Sequence, residues 1–201
     1  MDLGSPVLDV APTVRGALLQ ALARLEQPVT RRQLATAAGV APGHASAVIA
    51  ELIQSGLVSE AIAGRSSMVM LNRSHLAAGP VIALAGLRGE LIRRLRERLS
   101  AWPDLTGAWL FGSVARGDAE RASDIDVLIV AEDLQSDALH ERLEGLHADV
   151  RAWTGNDLQL VEHSLTSWRA LVRAKNPLVD RVRSDGIALA GDVAGLLARF
   201  R

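Results

Sequence analysis

Two carboxylates, Asp124 and Asp126, follow shortly after a glycine–serine pair, Gly112 and Ser113. Each group adjoins an apolar run. Ala108-Trp109-Leu110-Phe111 precedes the pair, and Val127-Leu128-Ile129-Val130 follows the acids. Such short runs read as buried strands. A Gly-Ser turn at a strand end leaves backbone N–H groups and a hydroxyl free to face a phosphate. Residues i and i+2 of a strand share a face, so Asp124 and Asp126 stand side by side. Their mutual repulsion calls for a cation, and an all-oxygen donor set suits Mg²⁺. A phosphate cradle beside a cation-binding acid pair points to phosphoryl or nucleotidyl transfer.

The full string is Gly112-Ser113-Val114-Ala115-Arg116-Gly117, a five-residue gap, then Ser123-Asp124-Ile125-Asp126. It resembles the signature of the nucleotidyltransferase superfamily related to DNA polymerase beta, and in particular its minimal bacterial members. The resemblance spans residues 86–201, and its discriminating part runs from Gly112 to Asp126. It implies an α/β (α+β) domain, a mixed sheet with flanking helices, over residues 79–201. It also implies roles. Gly112 and Ser113 would hold the β- and γ-phosphates of a nucleoside triphosphate, ATP being the leading candidate. Asp124 and Asp126 would bind one or two Mg²⁺ ions, Arg116 would steady a phosphate, and Ser123 would orient the loop before the acids. For Arg116, a surface pairing with Asp118 or Glu120 is an equal alternative.

Members of this superfamily carry a third carboxylate on a later, neighbouring strand. Here that strand is expected at Leu158-Gln159-Leu160-Val161, after the turn Thr154-Gly155-Asn156. Alignment on the apolar residues puts Gln159 at the place of the acid. Asp157, two residues earlier on the same strand face, takes the role if the register slips by two, whereas Glu162 points to the other face. A neutral amide is no general base and a poor ligand for a hard cation.

The elements that must position these residues are legible around them. Leu87, Leu91, Leu95 and Leu99, with Ile92, form one stripe of a connector helix over residues 84–102, and Pro103 ends it. Leu139, Leu143, Leu146 and Val150 make a helix over 136–153 that covers the sheet. A helix over 165–175, a short strand over 187–191 and a tail helix complete the half. Gly79-Pro80 marks the domain boundary.

The first half has another character. Val14, Leu18, Leu19, Leu22 and Leu25 fall at helical spacing. Thr30-Arg31-Arg32-Gln33 is a capping box that opens a helix ended by Gly39. Pro42 starts a further helix with Ala45, Val48, Ile49, Leu52 and Ile53 inward. Val58 begins a strand, Gly64-Arg65-Ser66-Ser67 reads as a hairpin tip, and Val69-Met70-Leu71 returns. This order over residues 12–75 resembles the winged helix-turn-helix of bacterial transcription regulators. The expected layout is a flexible lead over 1–11, a winged helix over 12–78 and the catalytic half beyond. The resemblance implies binding of double-stranded DNA, with His44 and Ser46 toward the groove and Arg31, Arg32 and Arg65 toward phosphates. The groove helix lacks the arginine or lysine that guanine readout normally uses.

Composition narrows the rest. The 201 residues have a net charge of −1, 49% hydrophobic residues and no cysteine, which excludes disulfides and thiolate chemistry. Residues 1–80 hold six basic and five acidic side chains, against eleven and sixteen over 104–201. The acids concentrate in the half with the carboxylate pair. No apolar run has the length of a membrane span and no signal segment is visible, so no membrane partner and a cytoplasmic location are expected. The leading expectation is a Mg²⁺-dependent transferase moving a nucleoside monophosphate to an acceptor hydroxyl on a protein, an RNA or a small molecule. It would be a homodimer coupled to a DNA-binding winged helix. The alternative is a nucleotide-sensing regulator or antitoxin-like interaction protein with little turnover, a reading favoured by Gln159.

Overall fold

A computed structural model describes residues 1–64 and 66–198. The chain divides into two units, one from Gly4 to Leu87 together with Asp2, the other from Arg88 onward together with Met1 and Leu3.

The first unit begins with α1 (Pro6–Val10) and α2 (Val14–Arg24). A two-residue strand β1 (Val29–Thr30) leads into α3 (Arg31–Ala37) and α4 (Pro42–Gln54). The hairpin β2 (Val58–Ala63) and β3 (Ser66–Leu71) follows, then α5 (Ala78–Ala85). The local chemistry is that of the sequence. Thr30 Oγ1 accepts from Gln33 N–H, and the Gln33 side chain accepts from Thr30 N–H at 2.8 Å, closing the capping box. Gly39 takes φ +65°, which glycine adopts without penalty, and ends the turn after α3. β3 pairs antiparallel with both β1 and β2, giving the order β1-β3-β2. Leu18, Leu22, Leu34, Ile49, Leu52 and Val69 form the core between helices and sheet.

Three local expectations change. Residues 1–11 are structured: Pro6 opens α1 at a first-turn position, and Val7 N–H donates to the buried Gln20 side chain at 2.9 Å. Gly79-Pro80 is no break, because both lie in the first turn of α5, where proline's missing N–H costs nothing. The connector is two helices rather than one over 84–102. Gly86 caps α5, donating to Ile82 O at 3.0 Å, and α6 (Leu87–Ser100) starts after it.

The second unit continues with β4 (Leu105–Phe111), α7 (Gly112–Arg116), β5 (Ile125–Ala131), α8 (Asp137–Thr154) and β6 (Leu158–Ser164). It ends with α9 (Leu165–Arg173), α10 (Pro177–Asp185), β7 (Ile187–Gly191) and α11 (Val193–Leu197). The strands form a mixed sheet in the order β6-β5-β4-β7. β5 is antiparallel to β4 and parallel to β6. Strand alternation sorts the side chains onto two faces. Leu110, Val127 and Ile129 pack with α6 and α8 on one. Trp109, Phe111, Leu128 and Val130 pack with α9, α10 and α11 on the other. There Trp168 is fully buried, its ring 5.6 Å from that of Trp109, and its Nε1–H donates to Leu196 O at 2.9 Å.

Three arginines of α6 are paired with acids, Arg93 with Glu90 and Glu97, Arg94 with Glu90, and Arg98 with Asp149. Such exposed pairs add little stability, so the leucine stripe holds this helix. Leu95 is completely buried in it. Leu95→Ala should therefore cost this unit about 2–5 kcal/mol in denaturant unfolding. A loss under ~0.5 kcal/mol would place α6 outside the cooperative core.

Candidate functional site

The site is assembled where β4 meets β5. Phe111, the last residue of β4, pairs with Asp126, the second residue of β5. That register carries the turn after β4 onto the carboxylate. Gly112 has φ +74°, and a Cβ there would lie 3.1 Å from Asp126 Cγ. Both the backbone conformation and the space demand glycine. The short helix α7 is fixed from behind. Val114 and Ala115 are buried, and Arg88 donates to the carbonyls of both, Nε reaching Val114 O at 2.6 Å. Gly117, at φ +85°, ends α7, and the N–H groups of Gly117 and Asp118 donate to Ser113 O at 2.9 and 3.2 Å. No side chain caps the first turn of α7. Its leading N–H groups, those of Gly112 and Ser113 among them, lie at the helix end that favours anions.

Ser123 closes the loop before the acids. Its hydroxyl accepts from Glu120 N–H at 2.9 Å while its own N–H donates to Glu120 O at 3.0 Å. Asp124 is exposed and Asp126 half-buried. Burial, and then the neighbouring Asp124, push the Asp126 carboxyl above the usual carboxylate range, while Arg181 and Arg116 pull it down. Arg116 donates from Nε to Asp118 Oδ2 at 3.1 Å, and its Nη1 lies 3.9 Å from Asp185 Oδ2 on α10. The surface pairing with Asp118 therefore exists, and it leaves Arg116 beside the acids. Arg181 is the functional candidate that sequence reading missed. It lies on α10, an element signalled only by the cap Asn176 and the first-turn Pro177.

Gln159 is the register partner of Asp126 across β5 and β6. An amide thus stands beside the half-buried acid, on the same face of the sheet. Asp157 is elsewhere. Its carboxylate is held by Arg151 of α8, the helix on the opposite face, and among the described residues no three acid, histidine or cysteine side chains gather. The structure brings Asp124 and Asp126 together and leaves Asp157 apart from them. Two adjacent carboxylates, one of them desolvated, still fit a hard cation. Mg²⁺ commonly takes one or two protein carboxylates and completes its shell with water and phosphate oxygens.

In the first unit, Arg31, Arg32 and Ser46 line one groove of about 320 Å³ between α3 and α4. Arg31 is drawn to one side of it by Glu60 of β2, with Nη2–Oε1 at 2.7 Å. His44 is exposed on α4 but does not line that groove, and Arg65 lies outside the described residues. Among the described residues no helix is long and apolar enough to cross a membrane.

The Asp126 environment fixes a pH dependence. An acid whose folded pKa is raised binds more protons folded than unfolded. Between the ordinary value of 3.8 and the raised one, cation-free stability therefore falls as pH rises. Asp126→Asn should raise the cation-free Tm at neutral pH, flatten this part of the pH–Tm profile and remove any Tm gain from Mg²⁺. An unchanged profile would mean that Asp126 is not a desolvated acid.

Residues 91–183 match the model of the nucleotidyltransferase domain family. No curated protein matches the chain at a significant level. Among solved structures, the chain is similar to one described as a toxin–antitoxin with AMP-PNP, at 25% identity over 54% of this chain and 77% of that one, TM-score 0.35. A mutant of the toxin–antitoxin MntA-HpeT gives 22% identity over 54% and 76%, also with TM-score 0.35. A MarR-family transcriptional regulator from Rhodococcus sp. RHA1 gives 16% identity over 49% and 80%, TM-score 0.30. The Gly112 turn and the Asp124–Asp126 pair both lie inside the matched span, which supports a nucleotidyltransferase domain over residues 91–183.

Proposed function

We propose that this domain transfers a nucleoside monophosphate from a nucleoside triphosphate, ATP first among them, to an acceptor hydroxyl. One observation carries the reading: the Phe111–Asp126 register sets a glycine turn directly against a half-buried acid. In it, Gly112 and Ser113 hold the β- and γ-phosphates, with Arg116 beside them. Ser123 shapes the loop, and Asp124 and Asp126 hold Mg²⁺. When bound, Mg²⁺ supplies charge neutralisation on the phosphates and lowers the pKa of the acceptor hydroxyl. The residues present suit one such ion better than two. The acceptor hydroxyl belongs to a protein, an RNA end or a small molecule.

Gln159 beside Asp126 supports a second reading, a nucleotide sensor with slow turnover. No general base stands there, because an amide does not take a proton. The two readings separate in one experiment. The full chain is incubated in lysate with each α-³²P nucleoside triphosphate and Mg²⁺, beside an Asp124→Ala, Asp126→Ala double variant and a Gln159→Glu variant. A transferase labels an acceptor, the double variant abolishes the label, and Gln159→Glu raises it about 10²-fold or more. No label from any of the three, with nucleotide binding retained, selects the sensor.

We also propose that the first unit, within residues 4–87, is a winged helix that binds double-stranded DNA as a homodimer. Its support is the order helix, strand, two helices and hairpin, and the groove lined by Arg31, Arg32 and Ser46. Arg32, exposed at that groove, is the phosphate contact. Arg32→Ala should weaken binding to any duplex and reduce the slope of log K against log salt by about one. A slope equal to that of the parent would make the groove a protein-docking surface instead.

A further inference from the structure

Asn156 stands in the turn between α8 and β6 and is 6% exposed. Its backbone N–H donates to Thr154 Oγ1 at 3.1 Å, and that hydroxyl donates to Val150 O at 2.7 Å, so the residue is tied to the end of α8. Its side-chain Nδ2 donates to Ser123 O at 2.9 Å and to Arg121 O at 3.2 Å. Nδ2 also reaches Met1 O at 3.1 Å, and Oδ1 accepts from the Met1 amino group at 2.6 Å. The carbonyls of Ser123 and Arg121 belong to the loop that delivers the acid pair.

The consequence lies in where strand pairing stops. β5 and β6 run in parallel register from Ile125 and Leu158, and the first backbone bond of that ladder is Ile125 N–H to Asp157 O at 2.9 Å. Upstream of it, the backbone of the β6 lead-in no longer faces the loop. The Asn156 amide takes over, donating where a backbone N–H would have stood. Asp124 is thereby bracketed: the residue before it is held at its carbonyl by Asn156, and the residue after it at its N–H by Asp157. A short amide offers two N–H donors at this reach, and the carbonyls of Ser123, Arg121 and Met1 share them.

We infer that Asn156 is a positioning residue for the cation-binding carboxylates, fixing the backbone that leads into Asp124 without touching the cation. This rests on the reading of Asp124 and Asp126 as a cation site, and it adds the element that sets their separation. Removing the donors leaves the fold of the sheet in place and frees the loop, so cation affinity falls further than stability requires.

The test is Mn²⁺ titration of the full chain, followed by electron paramagnetic resonance well below every variant's Tm. Asn156→Leu keeps the branched outline at greater bulk and loses both donors, and it should weaken Mn²⁺ binding about ten-fold or more. Leu95→Ala, a core truncation far from the loop in sequence, lowers Tm and should leave the Mn²⁺ Kd within about two-fold. If Asn156→Leu does not fold, Asn156→Ser, which retains one donor, is judged by the same comparison. A parent-like Kd in the Asn156 variant, or equal losses in it and in Leu95→Ala, overturns the inference. A parent that binds no Mn²⁺ saturably overturns the cation site itself, and this inference falls with it.

Discussion

β5 is hydrogen-bonded on both sides, antiparallel to β4 and parallel to β6, and a strand held in that way cannot slip by one residue without moving every side chain to the other face, which would carry Asp126 toward the core of α6 and α8. Val127 and Ile129 would leave the core of α6 and α8, and Leu128 and Val130 that of α9, α10 and α11. The two-sided packing of these four residues thus fixes where Asp126 stands. Every other part of the site is placed relative to it: the glycine turn through Phe111, the amide of Gln159 through the parallel partner, and Arg116 with α7 behind.

The hydrophobic cost of a slip therefore maintains a polar arrangement that would not hold together alone. Asp124 and Asp126 repel each other, and burial disfavours the charged form of Asp126. Active sites commonly store conflict of this sort, balanced by the packing around them. Here the balance comes from Arg88 on the last carbonyls of α7, from the buried Val114 and Ala115, and from the sheet itself.

Much of this was readable in the sequence because it rests on short-range chemistry. The capping box at Thr30, the glycine at 39, the apolar runs of β4 and β5 and the stripe of α6 all depend on neighbours within a few residues. What escaped depends on distant partners. β1 is two residues long and exists only because β3 pairs with it. The break at Gly86 was hidden by an apolar stretch that runs through it. Arg181 has no local mark of function, since only the packing of α10 brings it near Asp126. Asp157 looked like a spare ligand while its partner Arg151, six residues earlier, went unremarked. Asn156 read as an ordinary turn residue, and its bonds to residues 121 and 123 span more than thirty positions.

Glutamine and glutamate codons differ in their first base alone, so the amide beside Asp126 stands one nucleotide change from an acid. The backbone already supports either side chain, because Gln159 is exposed and lies on a strand whose register is set by its apolar neighbours. A lineage carrying this sheet can therefore exchange amide for carboxylate in a single mutational step and without refolding. Position 112 has no such latitude: its φ of +74° strains any other residue, and a side chain there would displace the Asp126 carboxylate.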